Sequence, residues 1–303
     1  MGDNDSERPS ENEIKASFQK LLNEHGHAFQ HAVIRRIEEL DNRQASCWKW
    51  LATEFPVEVQ GYTTHIDFIL RYLHKLSPHG FLVAECKRIN PSFSDWCFAT
   101  APYVMRGISP ELLFEGVKRE DVGLCAGVQG FPPRQNIYNI PMELKTRGRK
   151  GETTGGRSAI EEAAKQVMRG LNGLINCLSK NPEILPTVPP GYFDYPTFFV
   201  PVIFTTARLW VTDADIGAAE LTTGEVDLTS AKVEPKEWLW FQSHLSPVLK
   251  HSVKQEITTE NPPHVRPVRN DFATLLRREY ARTIAIVNMD GIDKFLGREI
   301  LSY

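Results

Sequence analysis

The stretch that decides the fold runs from Thr63 to Arg88: TTHIDFIL over residues 63–70, a ten-residue connection, then FLVAECKR over residues 81–88. Asp67 interrupts the first apolar run, and Glu85 and Lys87 stand two apart at the end of the second. Successive side chains on a strand point to opposite faces, so Glu85 and Lys87 share one face while Ala84 and Cys86 turn to the other. From Phe81 to Ala84 the run is apolar at both parities, the pattern of a central strand covered on both sides. Charges carried by such a strand are costly without partners, which points to a site rather than a solvated edge. If the two runs pair, Asp67 meets Glu85 and Lys87 at the end of the sheet. Two carboxylates and an ammonium gathered there can hold a divalent metal ion beside a charged helper, the chemistry of phosphodiester cleavage. The bland alternative is a surface Glu–Lys pair and a hydrogen-bonded, half-buried acid.

This pattern resembles the PD-(D/E)XK superfamily, the restriction-endonuclease-like nucleases. The family's acidic residue falls on Asp67 and its E-x-K triplet on Glu85, Cys86 and Lys87; Ile66 stands where Pro often precedes the acid. The resemblance implies an α/β fold with a restriction-endonuclease-like core, a central mixed sheet flanked by helices. It implies a DNA endonuclease in which Asp67, Glu85 and the backbone carbonyl of Cys86 hold Mg²⁺ or Mn²⁺, while Lys87 sits near the attacking water. Products with 5′-phosphate and 3′-hydroxyl ends follow from the same likeness. Relatives place a Gln on the helix after the E-x-K strand, and Gln166 is the candidate. They often carry a Glu on the first helix, where this chain has Gln30 in GHAFQ and, two turns earlier, Glu24. Many members of this size belong to restriction or phage-defence systems and cut duplexes as dimers, so a homodimer or a defence-system partner is expected alongside DNA. The competing class is a catalytically silent nucleic-acid-binding or assembly subunit on the same fold.

The rest of the chain bounds these expectations. With 303 residues, 41% hydrophobic and 24% charged, the composition is that of an ordinary globular protein. No apolar run approaches the roughly 20 residues that span a bilayer, and MGDNDSERPSENE lacks the order of a signal peptide. Five scattered cysteines argue for a reducing, cytoplasmic setting and against a zinc knuckle. A net charge of -3 gives no global attraction to nucleic acid, so positive charge must be local. KTRGRKGETTGGR supplies it: Arg147, Arg149 and Lys150 lie among glycines and can run along a phosphate backbone. The H-E-x-x-H motif of zinc hydrolases, a Walker loop and Gly-x-Ser-x-Gly are all missing from the sequence.

Residues 1–12 read as a disordered tail, and 13–303 as one nuclease-like domain with an insertion at about 98–157. Apolar spacing from Ile14 to Leu40 predicts one helix or two with a break at Gly26. Trp48–Leu51 reads as a connector and Phe55–Val59 as a strand. Gly123–Val128 and Ile137–Leu144 are expected to form a hairpin. A second E-x-K, Glu143-Leu144-Lys145, is set aside as a decoy because its nearest upstream acid, Asp121, reads as part of a loop. Ser158 and Glu161 form a capping box that opens the clearest helix. Phe198–Thr205 and Arg208–Thr212 should extend the sheet, and 223–228 should hold a turn and a short strand. A helix over Asp271–Tyr280, a strand over Thr283–Asn288 and a last helix in GIDKFL complete the reading.

Overall fold

The computed structural model describes residues 10–24, 26–72, 79–89, 95–101, 114–118, 121–125, 137–144, 158–180, 197–244 and 281–297. The basic loop with Arg147, Arg149 and Lys150, the Asp271–Tyr280 helix and most of the expected tail lie outside these residues.

Two helices open the chain, α1 (Glu11–Glu24) and α2 (His27–Asn42), so helix begins inside the segment read as tail. Gly26 separates them at φ 74°, a left-handed conformation that glycine adopts without a Cβ clash. Val33, Ile34, Ile37 and Leu40 recur at helical spacing on α2 and are all buried.

A long antiparallel hairpin follows, β1 (Trp48–Val59) and β2 (Tyr62–Tyr72), turning at Gln60 and Gly61, both at positive φ. Trp48–Leu51 is therefore the start of a strand and not a connector. A register shift between Trp50 and Ala52 breaks the alternation by which that segment would have been recognised. β3 (His79–Lys87) pairs antiparallel with β2 and parallel with β9 (Thr197–Thr205), which makes it a central strand. Beyond β9 the sheet continues with β13 (Ala281–Asn288), β12 (Trp238–His244) and β7 (Ile137–Tyr138). The hairpin β5 (Phe114–Lys118) and β6 (Asp121–Cys125) joins it through β9.

Both faces of this mixed sheet are covered. Phe81 and Val83 of β3 pack with Ile66, Phe199 and Ile203 against α3 (Ala159–Lys180), through its Ile160, Ala164, Val167 and Leu171. Leu82 and Ala84 turn the other way, toward Val33 and Ile37 of α2 and Phe295 of the short C-terminal helix α4 (Ile292–Leu296). The doubly apolar run is thus a strand buried on two faces, as its composition requires. α3 opens with Ser158 Oγ accepting from the Glu161 amide at 3.4 Å, one half of the expected capping box.

Among the described residues a second, four-stranded sheet forms in the order β11 (Val233–Lys236), β10 (Arg208–Thr212), β4 (Asp95–Ala99), β8 (Ile140–Leu144). Four expectations are corrected here. Arg208–Thr212 belongs to this sheet and does not extend the first. Ile137–Leu144 is split, β7 pairing with β12 and β8 with β4, while the hairpin of the inserted region is β5–β6. Asp121 begins a strand. Residues 223–228 carry no strand; Glu220, Thr222, Thr223 and Asp227 fold that segment into side-chain-bonded turns.

Candidate active site

The site lies where β2 and β3 part. Their ladder runs from Tyr72 opposite Gly80 to Phe68 opposite Ala84 and then stops. In the gap, the Asp67 carboxylate takes the place of a ladder carbonyl: its Oδ2 accepts from the Cys86 amide at 2.6 Å. Asp67 is thereby fixed against the residue that lies between Glu85 and Lys87. On the far side β3 stays paired with β9, Glu85 opposite Ile203 and Lys87 opposite Thr205. The E-x-K segment is held rigid by one neighbour while its other edge is open.

Strand alternation is broken around Asp67. Ile66 and Ile69 lie in the same core cluster although they are three apart, while Phe68 lies in the other. Opposite, between Thr53 and Phe55 on β1, Glu54 has φ 48°. This local distortion turns the Asp67 carbonyl toward α2, where Gln30 Nε2 donates to it at 2.7 Å. The same Nε2 donates to Glu54 Oε1 at 2.8 Å. Gln30 is 4% exposed, so it is a buried tie rather than a polar residue on a wet helix face. Glu24 falls at the end of α1, and its side chain lies outside the described part of the structure.

Glu85 is 9% exposed, and no hydrogen bond or ion pair links its carboxylate to any described residue. Burial pushes its pKa up to about 8, and the negative charge of Asp67 adds to the rise; Lys87 opposes it. Asp67 is raised to about 6, first by burial and then, against the hydrogen bond from Cys86, by Glu54, while His27 and Lys87 pull it down. The pair consequently retains a proton at neutral pH. Glu162 of α3 also raises Glu85. Glu54, Glu162, His27 and Gln30 thus bear on the trio, and of these only Gln30 stands out in the sequence. Glu54 resembles the solvent-facing acids of any strand, and Glu162 merely continues the acidic first turn of α3.

Burial drives the Cys86 thiol well above its usual range, which leaves its carbonyl rather than its sulfur as the donor at this position. Gln166 lies one turn beyond Glu162 on α3, and its Oε1 is buried without a hydrogen-bond partner among the described residues. Glu143 of the second E-x-K has a different job: its Oε1 accepts from the Ile160 amide at 3.1 Å, capping α3.

No group of three His, Cys, Asp or Glu side chains among the described residues is assembled to hold a metal ion. Two carboxylates and a carbonyl nevertheless suit Mg²⁺, which commonly binds through one or two carboxylates and keeps several waters. The buried carboxylate of Glu85, with no hydrogen bond or ion pair among the described residues, is the observation that fits a cation there, since a charge so placed is unstable alone. Comparison of the chain with protein-family models, curated proteins and solved structures gives no match. No helix among the described residues is long and apolar enough to cross a membrane.

Proposed function

We propose that the protein is a divalent-cation-dependent nuclease that hydrolyses phosphodiester bonds, with DNA as its substrate. One observation carries the reading: Asp67 is fastened to the peptide between Glu85 and Lys87, at the open edge of a strand whose buried glutamate has no hydrogen bond or ion pair among the described residues. Asp67, Glu85 and the Cys86 carbonyl are the groups that would hold Mg²⁺ or Mn²⁺. When bound, such an ion lowers the pKa of water and neutralises charge on the scissile phosphate. The remaining work falls to the chain. Lys87 points to the same face as Glu85 and carries a positive charge that offsets the one growing on the phosphoryl oxygens. Gln166 Oε1, without a hydrogen-bond partner among the described residues, can accept from a water and orient it. The four described free cysteines suit a reducing compartment, and a cytoplasmic role in restriction or phage defence is the setting we assign.

The test uses linear, circular and single-stranded DNA and RNA, with and without Mg²⁺. Cation-dependent cleavage of DNA by the wild type, lost in Asp67→Ala and Lys87→Ala, is expected. Equal cutting by the purified variants would discard the site. Salt-sensitive retention of DNA with no cation-dependent degradation would identify instead a catalytically silent binding or assembly subunit.

A further inference from the structure

Glu54 and Gln30 are not used by the chemistry described so far, yet the structure spends strain and burial on them. Glu54 sits in the middle of β1 with a left-handed backbone, φ 48°, which residues bearing a Cβ seldom adopt. Glycine would fit that conformation without strain. Instead the position carries a carboxylate whose Oε1 is pinned by a buried amide from another element. Its second oxygen has no hydrogen-bond partner among the described residues. The amide that pins it also grips the Asp67 carbonyl, so one side chain sets the spacing of two acids.

We propose that Glu54 is a third carboxylate of the cation site, acting through a cation-bound water, and that Gln30 is the positioning residue that fixes it. This rests on the reading of Asp67 and Glu85 as a hard-cation site. An acidic cluster alone would not justify it. The independent pointer to a ligand is Glu85, nine-tenths buried with no hydrogen bond or ion pair among the described residues.

Contact through water, rather than direct ligation, follows from two facts. Glu54 does not converge with Asp67 and Glu85 into a three-carboxylate cluster. Mg²⁺ gives up its water reluctantly, so an acid too distant to bind it directly accepts hydrogen bonds from its hydration shell. Glu54 is also exposed, on β1 across from the Asp67 segment of β2, so water reaches its carboxylate.

The experiment is a titration of the full chain with Mg²⁺ and with Mn²⁺ by calorimetry, with folding of each variant checked by thermal melting in chelator. Glu54→Gln is the main variant because its side-chain carbonyl still accepts from Gln30, so shape is kept and charge is lost. Removing a partner that acts through a metal's water costs about 10–100-fold in affinity, and a loss of that size is expected. Glu85→Gln should abolish binding. Gln30→Leu should weaken it, and the double variant should lose less than the product of the single losses, since Gln30 acts in part through Glu54. A merely structural Gln30 would give a full product and overturn its positioning role. Binding by Glu54→Gln within about twofold of wild type, with Glu85→Gln inactive, overturns the proposal and leaves the two-acid site standing. No cation uptake by the wild type removes the site itself, and the proposal with it.

Discussion

Replacing Glu85 with Gln gives the sharpest test of the site, because it reads burial rather than activity. Glu85 has a pKa near 8 in the fold against 4.5 for the ordinary group. Between those values the unfolded chain gives up a proton that the native protein keeps. The native state then binds more protons, so stability falls as pH rises, by up to about 1.4 kcal/mol per unit. The contribution is fully present below pH 4.5 and is lost as pH passes about 8. Taken over the whole window, the ceiling is about 5 kcal/mol. Glutamine cannot ionise, so Glu85→Gln should match the wild type at pH 5 and exceed it by a few kcal/mol, on the order of 3, at pH 9. Urea denaturation in chelator at pH 5, 7 and 9 measures this directly. Saturating Mg²⁺ should close the gap at pH 9 by stabilising only the wild type. Parallel pH profiles for the two proteins, or Mg²⁺ stabilising both alike, would refute a dehydrated, unpartnered glutamate at this position.

Three further outcomes are expected. Cation binding should tighten by up to about tenfold per pH unit as the acid pair gives up its proton, between pH values near 6 and 8, and then level off; calorimetry across pH reads the slope. Gly173→Ala should destabilise the fold by about 1–3 kcal/mol, because a new Cβ would lie 2.7 Å from Val57 Cβ where α3 crosses the β1–β2 hairpin; a urea midpoint shift reports it. Asp95→Ala should cost about 2 kcal/mol, since buried Asp95 accepts from Arg208 Nη2 at 2.6 Å and Trp210 Nε1 at 2.7 Å and ties β4 to β10; thermal melting checks it.

What the sequence reveals follows from how local the signal is. The two-faced burial of Phe81–Ala84 is written in its composition, and the α3 stripe from Ile160 to Leu174 in its spacing, so both elements are legible without a structure. The nearness of Asp67 to Cys86 follows once the two strands are paired, because a strand pair leaves little freedom in register. The second sheet is another matter. Asp95–Ala99 finds its neighbours more than 40 and more than 100 residues away, and alternating side chains say that a strand has a partner but not which one. Arg208–Thr212 therefore reads equally well as an extension of the first sheet. Glu54 is hidden for a related reason. Its importance lies in a backbone twist and in a bond to Gln30 across 24 residues, and neither leaves a trace in local patterning.

β2 ends at Tyr72 and β3 begins at His79, at the opposite end of the β2–β3 seam from Asp67. Ladder pairs from Tyr72 with Gly80 to Phe68 with Ala84 intervene. At about 3.3 Å per residue this distance is on the order of 15 Å. The link between these two strand ends is consequently a natural place to cut the polypeptide and rejoin its ends, or to splice in a reporter, while the acids at the far end keep their alignment. Permuted chains opened there would tell whether the chemistry belongs to the paired strands themselves or needs the connectivity that evolution happened to choose.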